Sequence, residues 1–441
     1  MNTENTQNLP HPAFIEALRF WLKLGFISFG GPTGQIAIMH AELVEKKKWI
    51  SETRFLHALN YCMLLPGPEA TQLATYVGWL LHKTPGGIVA GALFVLPSVF
   101  ILWGLSFVYV MYGKVDWIAA IFYGLKPAVM AIVAFAVIRI GKKALKNEVM
   151  WVLALLAFVA IFFFKLPFPL IILLAGIAGF AGGKIWPQKF LVTVNHSTKN
   201  SGSQSVISDE GESPLHTRPS LQRAIKVCAM CLIIWWTPVL ILGWWQGWNG
   251  TFFQQGIFFS KAAMVTFGGA YAVLPYVAQK AVEDYHWLSA GQMLDGLGLA
   301  ETTPGPLIMV LQFVGFLGAW HHPGNLSPLV AATLGAFITT WTTFLPCFLW
   351  IFLGAPHIEQ LRGNKNLTSA LSSITAAVVG VVLNLAIWFG LHVLFPSEGV
   401  VDWFAVIVSV IAFVGMWRWN WNIVAVVVGS GFVGLIYKTI I

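Results

Sequence analysis

The sequence predicts an all-α polytopic membrane protein of two inverted-topology repeats, in which helices broken by Gly and Pro form re-entrant hairpins that meet near the bilayer midplane. Three observations lead to this fold class. Of the 441 residues, 57% are hydrophobic and only 10% are charged, against roughly a quarter charged in soluble domains. Long apolar runs recur along the chain, and several Gly, Pro and Lys motifs occur twice. This composition excludes a soluble enzyme, because no surface of normal polarity could be assembled.

The charge and cysteine content exclude further classes. A net charge of +8 would suggest nucleic acid in a soluble chain, but here the basic residues lie in short loops, where they set orientation in the membrane. We therefore expect no nucleic-acid partner. The lone pair Cys228 and Cys231 lacks two further ligands for zinc, and four cysteines form no disulfide pattern. No metal or cofactor is expected.

Apolar runs suited to crossing a bilayer follow one another along the chain. They lie at 87–112, 117–138, 149–164, 168–186, 224–245, 328–353, 370–393, 401–416 and 421–437. Four further apolar stretches, at 14–38, 58–82, 252–277 and 297–318, are interrupted by Gly and Pro. The predicted organisation is a polar N-terminal tail (1–13), a first transporter repeat (14–190), a cytoplasmic linker (191–223), a connecting transmembrane helix (224–245) and a second transporter repeat (246–441).

The two halves are related by a shift of 238 residues. Without a gap, this shift gives 15 identities in 55 positions between 14–68 and 252–306. The matches include the motifs Phe-Gly-Gly and Pro-Gly-Pro, and they superimpose Lys23 on Lys261 and Trp49 on Trp287. Chance seldom aligns two motifs and a lysine in one register, so the halves are predicted to be a structural repeat.

The loop charges predict that the two copies are inverted. Lys46, Lys47, Lys48 and Arg54 follow the first broken stretch, whereas the matching loop of the second half has Lys280 alone. Positive residues accumulate on the cytoplasmic side, so the two loops are expected on opposite faces. Broken stretches that cross completely are the alternative to hairpins. The helix at 224–245 supplies the crossing that inverts the second copy, and the N-terminus is expected in the cytoplasm.

The Pro-Gly-Pro motifs predict an anion site. Pro68 and Pro306 suit the first turn of a helix, and Gly67 and Gly305 would then lie at its cap. Free amides and the helix dipole favour an anion at this point, and glycine allows a close approach to the backbone. The Phe-Gly-Gly motifs are expected to act in the same way. A packing kink without a ligand is the alternative.

Lys23 and Lys261 lie on apolar helices, where a lysine costs roughly 2.5 to 3.5 kcal/mol. Each ammonium could reach the predicted anion site at the breaks, or alternatively extend to the membrane interface. The full set of expected substrate-binding residues is Lys23, Ser28, Gly30, Gly31, Pro32, Gln35, Pro66, Gly67, Pro68, Thr71, Gln72, Lys261, Thr266, Gly268, Gly269, Thr303, Pro304, Gly305 and Pro306.

Glu69 and Glu301 are carboxylates near the breaks at positions that the 238-residue shift does not relate. Either could titrate and couple protons to transport, so both are candidates for coupling or gating. For Glu69, satisfying the N-terminus of its own helix is the alternative.

The motif residues resemble the two-domain chromate ion transporter family. The resemblance rests on Phe29 to Gln35, Trp49 and Leu65 to Trp79, with a weaker copy at Phe267 and at Thr302 to Leu307. Ala270 and Val273 replace Pro32 and Gln35 in that copy. The two halves are therefore not required to bind the ion equally. Membership implies a secondary transporter that exports chromate across the bacterial inner membrane by alternating access and confers chromate resistance, with sulfate as the isosteric competitor.

The expected partners are therefore chromate, or sulfate in its place, and the lipid bilayer, with a homodimer as one compatible assembly. A carrier for sulfate or another oxyanion is the first alternative. An intramembrane enzyme acting on lipid phosphates is the second, although no HExxH motif or nucleophile elbow supports it. A scaffold or sensor would leave the intramembrane lysines without a use. We expect a transporter and not an enzyme.

Overall fold

The computed structural model describes residues 10–29, 31–190, 206–207, 220–357, 365–396 and 400–440. The helices of the first half are α1 (Phe14–Ile27), α2 (Gly31–His40), α3 (Glu52–Leu64), α4 (Glu69–Tyr112), α5 (Asp116–Ala144), α6 (Glu148–Phe162), α7 (Phe168–Ile185) and α8 (Pro187–Phe190). Those that follow are α9 (Leu221–Gln246), α10 (Thr251–Met264), α11 (Ala270–Gln279), α12 (Ala290–Thr302), α13 (Val310–His321), α14 (Pro328–Gly354), α15 (Lys365–Leu394), α16 (Trp403–Trp419) and α17 (Ile423–Ile440).

Seven helices of the described residues are long and apolar enough to cross a membrane: α4, α5, α7, α9, α14, α15 and α17. The apolar helices α6 and α16 are shorter. Each run that the sequence assigned to a crossing overlaps one of these nine helices and extends at most two residues beyond it. The all-α polytopic fold class is confirmed.

The first broken stretch folds as a re-entrant hairpin. α1 leads to the break, and α2, extended by a π-helical turn at Ala41–Lys46, returns beside it. Lys47 Nζ lies 3.4 Å from a carboxylate oxygen of Glu16, and the rings of Phe20 and Trp49 are 5.2 Å apart. The hairpin therefore begins and ends on one face of the molecule, here named the N-terminal face.

The second broken stretch is also a hairpin, because α4 reverses direction within its length. His82 and Lys83 leave helical geometry, and Lys83 has a φ of 55°. A ring nitrogen of His82 lies 2.9 Å from the Pro12 carbonyl oxygen, so residues 69–81 return to the N-terminal face. Residues 84–112 then cross the molecule. Glycines allow these two parts of α4 to pack closely, since a Cβ on Gly78 would lie 2.5 Å from the Gly86 carbonyl oxygen.

The second half repeats both hairpins on the opposite face. The Thr251 hydroxyl at the start of α10 donates to the His322 carbonyl beyond α13 at 3.2 Å, and His321 Nδ1 lies 2.8 Å from the Trp287 carbonyl. Five crossings, by residues 84–112, α5, α6, α7 and α9, separate the two pairs of hairpins. An odd number of crossings inverts the second pair, as the loop charges predicted.

The backbone follows the 238-residue register closely. Lys48 and His286 occupy equivalent positions with left-handed φ values of 52° and 51°. Ser51 and Ser289 each accept a hydrogen bond from the third backbone amide of the following helix. Packing repeats as well, because α5 packs along α16 and α17 while α15 packs along α6 and α7. α9 has no first-half equivalent and packs on α10 and α14.

Two linker residues pair with the loop of the first hairpin. Val206 N–H donates to the Lys48 carbonyl at 3.0 Å, and Ile207 N–H donates to the Trp49 carbonyl at 3.2 Å. The Ile207 carbonyl accepts from Ser51 N–H at 3.1 Å. The linker therefore contacts the N-terminal face. The domain limits drawn from the sequence stay predictions.

Candidate functional site

Both Phe-Gly-Gly motifs lie at breaks between helices. α1 ends at Ile27 and α2 begins at Gly31, whereas α10 ends at Met264 and α11 begins at Ala270. Gly31, Gly268 and Gly269 have φ values of 68°, 76° and 95°, which favour glycine. The motif is therefore needed to turn the chain. Gly30 lies outside the described residues.

The Pro-Gly-Pro loops cross between the halves. Gly67 N–H donates to the Thr266 carbonyl at 2.7 Å, and Gly305 N–H donates to the Ser28 carbonyl at 2.7 Å. The 238-residue shift converts one of these bonds into the other. Each loop thus joins the Phe-Gly-Gly break of the opposite half, so the structure brings the four breaks together at one centre.

Two details differ from the sequence prediction. The amides of Gly67 and Gly305 are not free for an anion, because they hydrogen-bond to the opposite half. Pro68 precedes the first helical residue of α4, and Pro306 precedes the 3₁₀ turn at Leu307–Met309, so each lies at the cap and not in the first turn. The first amides of α4 and α11 also lie beside the breaks and lack an intrahelical acceptor, so they are candidate donors.

Polar side chains brace the centre. Gln72 Nε2 donates to the Pro66 carbonyl at 2.8 Å, and Gln35 Nε2 donates to the Gly305 carbonyl at 2.5 Å. Ser28 and Thr266 donate to carbonyls of their own helices, each at 2.6 Å. Gln72 and Gln35 therefore hold the Pro-Gly-Pro loops in place, while Ser28 and Thr266 satisfy carbonyls at the ends of α1 and α10.

The other predicted side chains of the centre differ in what they contact. Thr303 donates to the Ala300 carbonyl at 3.2 Å. Thr71 is buried, and its hydroxyl has no partner among the described residues. Pro32 lies at the start of α2, where its Cγ would be 4.0 Å from a Cβ on Gly269. Pro304 belongs to the Pro-Gly-Pro loop of the second half. The buried hydroxyl of Thr71 is therefore available to hydrogen-bond to a ligand.

The two lysines lie on the helices that lead to the breaks, and both side chains are exposed. Lys23 is close enough to Glu42, in the turn after α2, to act on its carboxylate. Within the described part of the chain, no hydrogen bond or ion pair joins Lys23 or Lys261 to the Pro-Gly-Pro loops. Their role as ligands stays a prediction.

Glu69 is the first residue of α4 and is only 8% exposed. A Cβ placed on Gly269 would lie 3.5 Å from one of its carboxylate oxygens and 3.7 Å from the other. Oε2 has no hydrogen-bond partner among the described residues. The carboxylate of one half therefore points at the Phe-Gly-Gly break of the other half.

Glu301 lies in a different environment. It is 4% exposed and accepts a hydrogen bond from the Tyr271 hydroxyl. The Arg139 guanidinium lies 6.0 Å from the centre of the Tyr271 ring. No local sequence pattern linked Arg139 on α5 to the second break, so its approach to that break was missed.

A second buried pair was missed entirely. Asp295 on α12 accepts a hydrogen bond from the Tyr109 hydroxyl at 2.8 Å, and its Oδ2 lies 3.7 Å from Lys126 Nζ. Opposite charges at intramembrane positions were the available signal, because such residues pair in the bundle interior. Lys126 and Arg139, both on α5, therefore lie beside the acidic residues Asp295 and Glu301 of α12. No group of three His, Cys, Asp or Glu in the described ranges could hold a metal ion.

Comparisons with known proteins identify the family to which the chain is similar. The family described as Chromate transporter matches residues 15–180 and 253–435, one segment in each half. A chromate transport protein of Cupriavidus metallidurans is 28% identical over 377 residues, which cover 84% of this chain and 81% of the relative. A chromate transport protein of Pseudomonas aeruginosa is 29% identical over 440 residues, covering 97% and 94%. No solved structure matches the chain. With two matching segments that include most of its length, the chain belongs to the chromate transporter family.

Proposed function

We propose that this protein is a secondary transporter, without enzymatic activity, that exports chromate from the bacterial cytoplasm across the inner membrane and confers chromate resistance. The reciprocal hydrogen bonds of Gly67 and Gly305 with the opposite halves carry the proposal. They bring two inverted copies of a broken helix to one centre, which is the architecture of a midplane substrate site.

An oxyanion would bind at the starts of α4 and α11. The first amides of both helices point toward the break, and the positive ends of their dipoles favour negative charge. Gly268 and Gly269 carry no side chain at this point, so an ion can approach the backbone closely. Lys23 and Lys261 would add two positive charges from the flanking helices.

The unequal burial of equivalent helices supports alternating access. In α2 only Gln35 and Met39 are buried, whereas nearly every residue of α11 is buried. In a transporter of inverted repeats, the two equivalent helices can exchange their exposed and buried positions. That exchange would open the site to the other side of the membrane. On this proposal, the structure corresponds to a state in which α2, on the N-terminal face, is more accessible than its equivalent α11. The lysines of the first loop favour a cytoplasmic position for the N-terminal face. In that orientation, this state would receive the ion from the cytoplasm.

The membrane potential is sufficient to drive export. A dianion that leaves a cell held 100 mV negative gains about 4.6 kcal/mol, twice the value for one charge. That free energy supports an outward gradient of roughly a thousandfold. Antiport of a proton would add to this driving force, whereas a proton that leaves together with the ion would reduce it, because the net charge moved is then one and not two.

Uptake into inverted membrane vesicles tests the proposal. Vesicles that contain the protein should accumulate chromate when energised, and vesicles without it should not. Collapse of the membrane potential should remove the accumulation. Transport of sulfate without chromate would reject the proposed substrate, and turnover of a lipid phosphate by the purified protein would reject the class.

A further inference from the structure

Glu69 occupies the position that an oxyanion would take. Its carboxylate lies at the start of its own helix, α4, and within 3.7 Å of a Cβ position on Gly269, which is the N-cap residue of α11. The side chain is more than nine-tenths buried, and Oε2 is without a partner in the described residues. The two helix N-termini that favour an anion therefore already face one.

The groups around Glu69 do not neutralise it. Among the described residues, Cys62 on α3 and Cys347 on α14 are titratable groups close enough to interact electrostatically with its carboxylate. A Cβ on Gly269, the N-cap residue of α11, would lie close to both this carboxylate and the Pro32 ring of α2. Glu69 forms no ion pair within the described ranges. Unlike the other buried carboxylates, it has no side-chain partner within the described ranges.

Glu301 and Asp295 show the contrast. Glu301 accepts from the Tyr271 hydroxyl beside Arg139, and Asp295 is paired with Lys126. Those carboxylates have partners of their own. An ionised Glu69 depends on the same amides and dipoles that an oxyanion requires, and two anions in one low-dielectric site repel strongly.

We propose that the Glu69 carboxylate is a tethered competitor for the oxyanion site. The ion enters when the carboxylate takes one proton from solvent and becomes neutral, so that an ionised glutamate, a proton and a free oxyanion become a protonated glutamate and a bound oxyanion. No other bond changes. This inference rests on the proposed oxyanion site and names the group that links its occupancy to pH.

Calorimetric titration of the purified full-length protein with chromate measures this link. Repeating the titration in buffers of different ionisation enthalpy gives the number of protons taken up for each ion bound, after subtraction of the protonation of chromate itself. We expect about one proton for the wild type where Glu69 is ionised, and none for Glu69→Gln. By linkage, the ratio of wild-type to Glu69→Gln Kd should rise about tenfold for each pH unit in that range.

Glu148→Gln is the matched control. Glu148 is also the first residue of a helix, α6, but its side chain is exposed. This variant should keep the wild-type proton uptake. The ratio of Kd values for two proteins also cancels the titration of chromate, which is the same in both.

The outcomes are distinct. Proton uptake that is equal in the wild type and Glu69→Gln, or a wild type that binds chromate without proton uptake, overturns the inference and leaves the oxyanion site intact. A lower melting temperature of Glu69→Gln with unchanged proton uptake assigns Glu69 to helix capping and also overturns it. Absence of chromate binding by the wild type at every pH rejects both the site and the inference.

Discussion

The loops that close the first hairpin of each half share one backbone conformation in two different settings. Trp49 N–H donates to the Leu43 carbonyl at 2.8 Å, and its equivalent Trp287 N–H donates to the Ala281 carbonyl at 2.8 Å. These bonds connect residues that the 238-residue shift relates one by one. The geometry of the loop is therefore a property of the repeat and does not depend on the face on which it lies.

One charge pair of these loops is reversed. Glu42 and Lys46 form an ion pair four residues apart, and Lys280 and Asp284 form the equivalent pair with the acid and the base exchanged. The surroundings differ too, because α11 is buried and α2 is largely not. The comparison teaches that the backbone sets the site, while side chains and packing set the orientation and the state of access.

Substitution of Gly67 and Gly305, whose amides bond to the opposite half, should have the largest effect on export. The size of the effect should differ between the two halves. Gly67 and Gly305 have φ values of 119° and 105°, and a strained non-glycine residue costs about 1–3 kcal/mol. A Cβ on Gly305 would lie 2.5 Å from Ser98 Cβ, whereas on Gly67 the nearest atom, Gln72 Nε2, is at 3.0 Å. Export and melting temperature should therefore fall further for Gly305→Ala than for Gly67→Ala.

Gly104→Ala is the control for these variants, since nothing lies within 4 Å of a Cβ at this position in α4. It should export chromate normally. Wild-type export by Gly305→Ala would show that the crossing geometry is not required.

Thiol labelling should show the next largest difference. Ala37 on α2 is exposed and Ala272 on α11 is 0% exposed. With the native cysteines replaced by alanine, a membrane-impermeant reagent should modify Ala37→Cys rapidly from the N-terminal face and Ala272→Cys only slowly. Conditions that support export should increase the reactivity of Ala272→Cys from the opposite face. Equal rates at both positions under all conditions would contradict alternating access.

Removal of either lysine should have an intermediate effect. Hydrogen bonds to charged groups contribute about 1.5–3 kcal/mol, so Lys23→Ala and Lys261→Ala should each weaken chromate binding by on the order of tenfold or more. Membrane abundance should not change. Lys114→Ala, in the exposed loop before α5, is the control. Normal export by the double variant would exclude both lysines from the site.

Exchange of the surface charges should have the smallest effect. In a Glu42→Lys and Lys46→Glu variant, the first loop takes the charge order of the second. Exposed pairs at this spacing contribute little, and the number of basic residues in the loop does not change. Melting temperature and export should equal those of the wild type. A clear loss of either would show that the polarity of this pair matters to the mechanism.

The repeat and the hairpins could be predicted from the sequence because both depend on local signals. Gly and Pro mark the breaks, and the ungapped register extends to the equivalent serine caps at Ser51 and Ser289. The reversal of α4 at His82 and Lys83 carries a similar signal, because Pro85, Gly86 and Gly87 follow it, and the sequence had separated the stretch 58–82 from the crossing at 87–112.

The partners inside the site could not be predicted in the same way. The acceptor of the Gly67 amide is the Thr266 carbonyl of the opposite half, and no local pattern specifies a contact over that separation. The same holds for the approach of Arg139 to Tyr271. Sequence reasoning identified the elements of the centre, and the tertiary packing decides which amides remain free.

The pairing of Val206 and Ile207 with the first hairpin loop has a consequence for how the molecule could be divided. A break in the polypeptide within 191–205 would leave this short segment on the C-terminal fragment. That fragment would then bring main-chain donors and an acceptor to the N-terminal fragment. Two separately translated pieces would thus possess a recognition element outside the lipid with which to find each other before their buried surfaces meet.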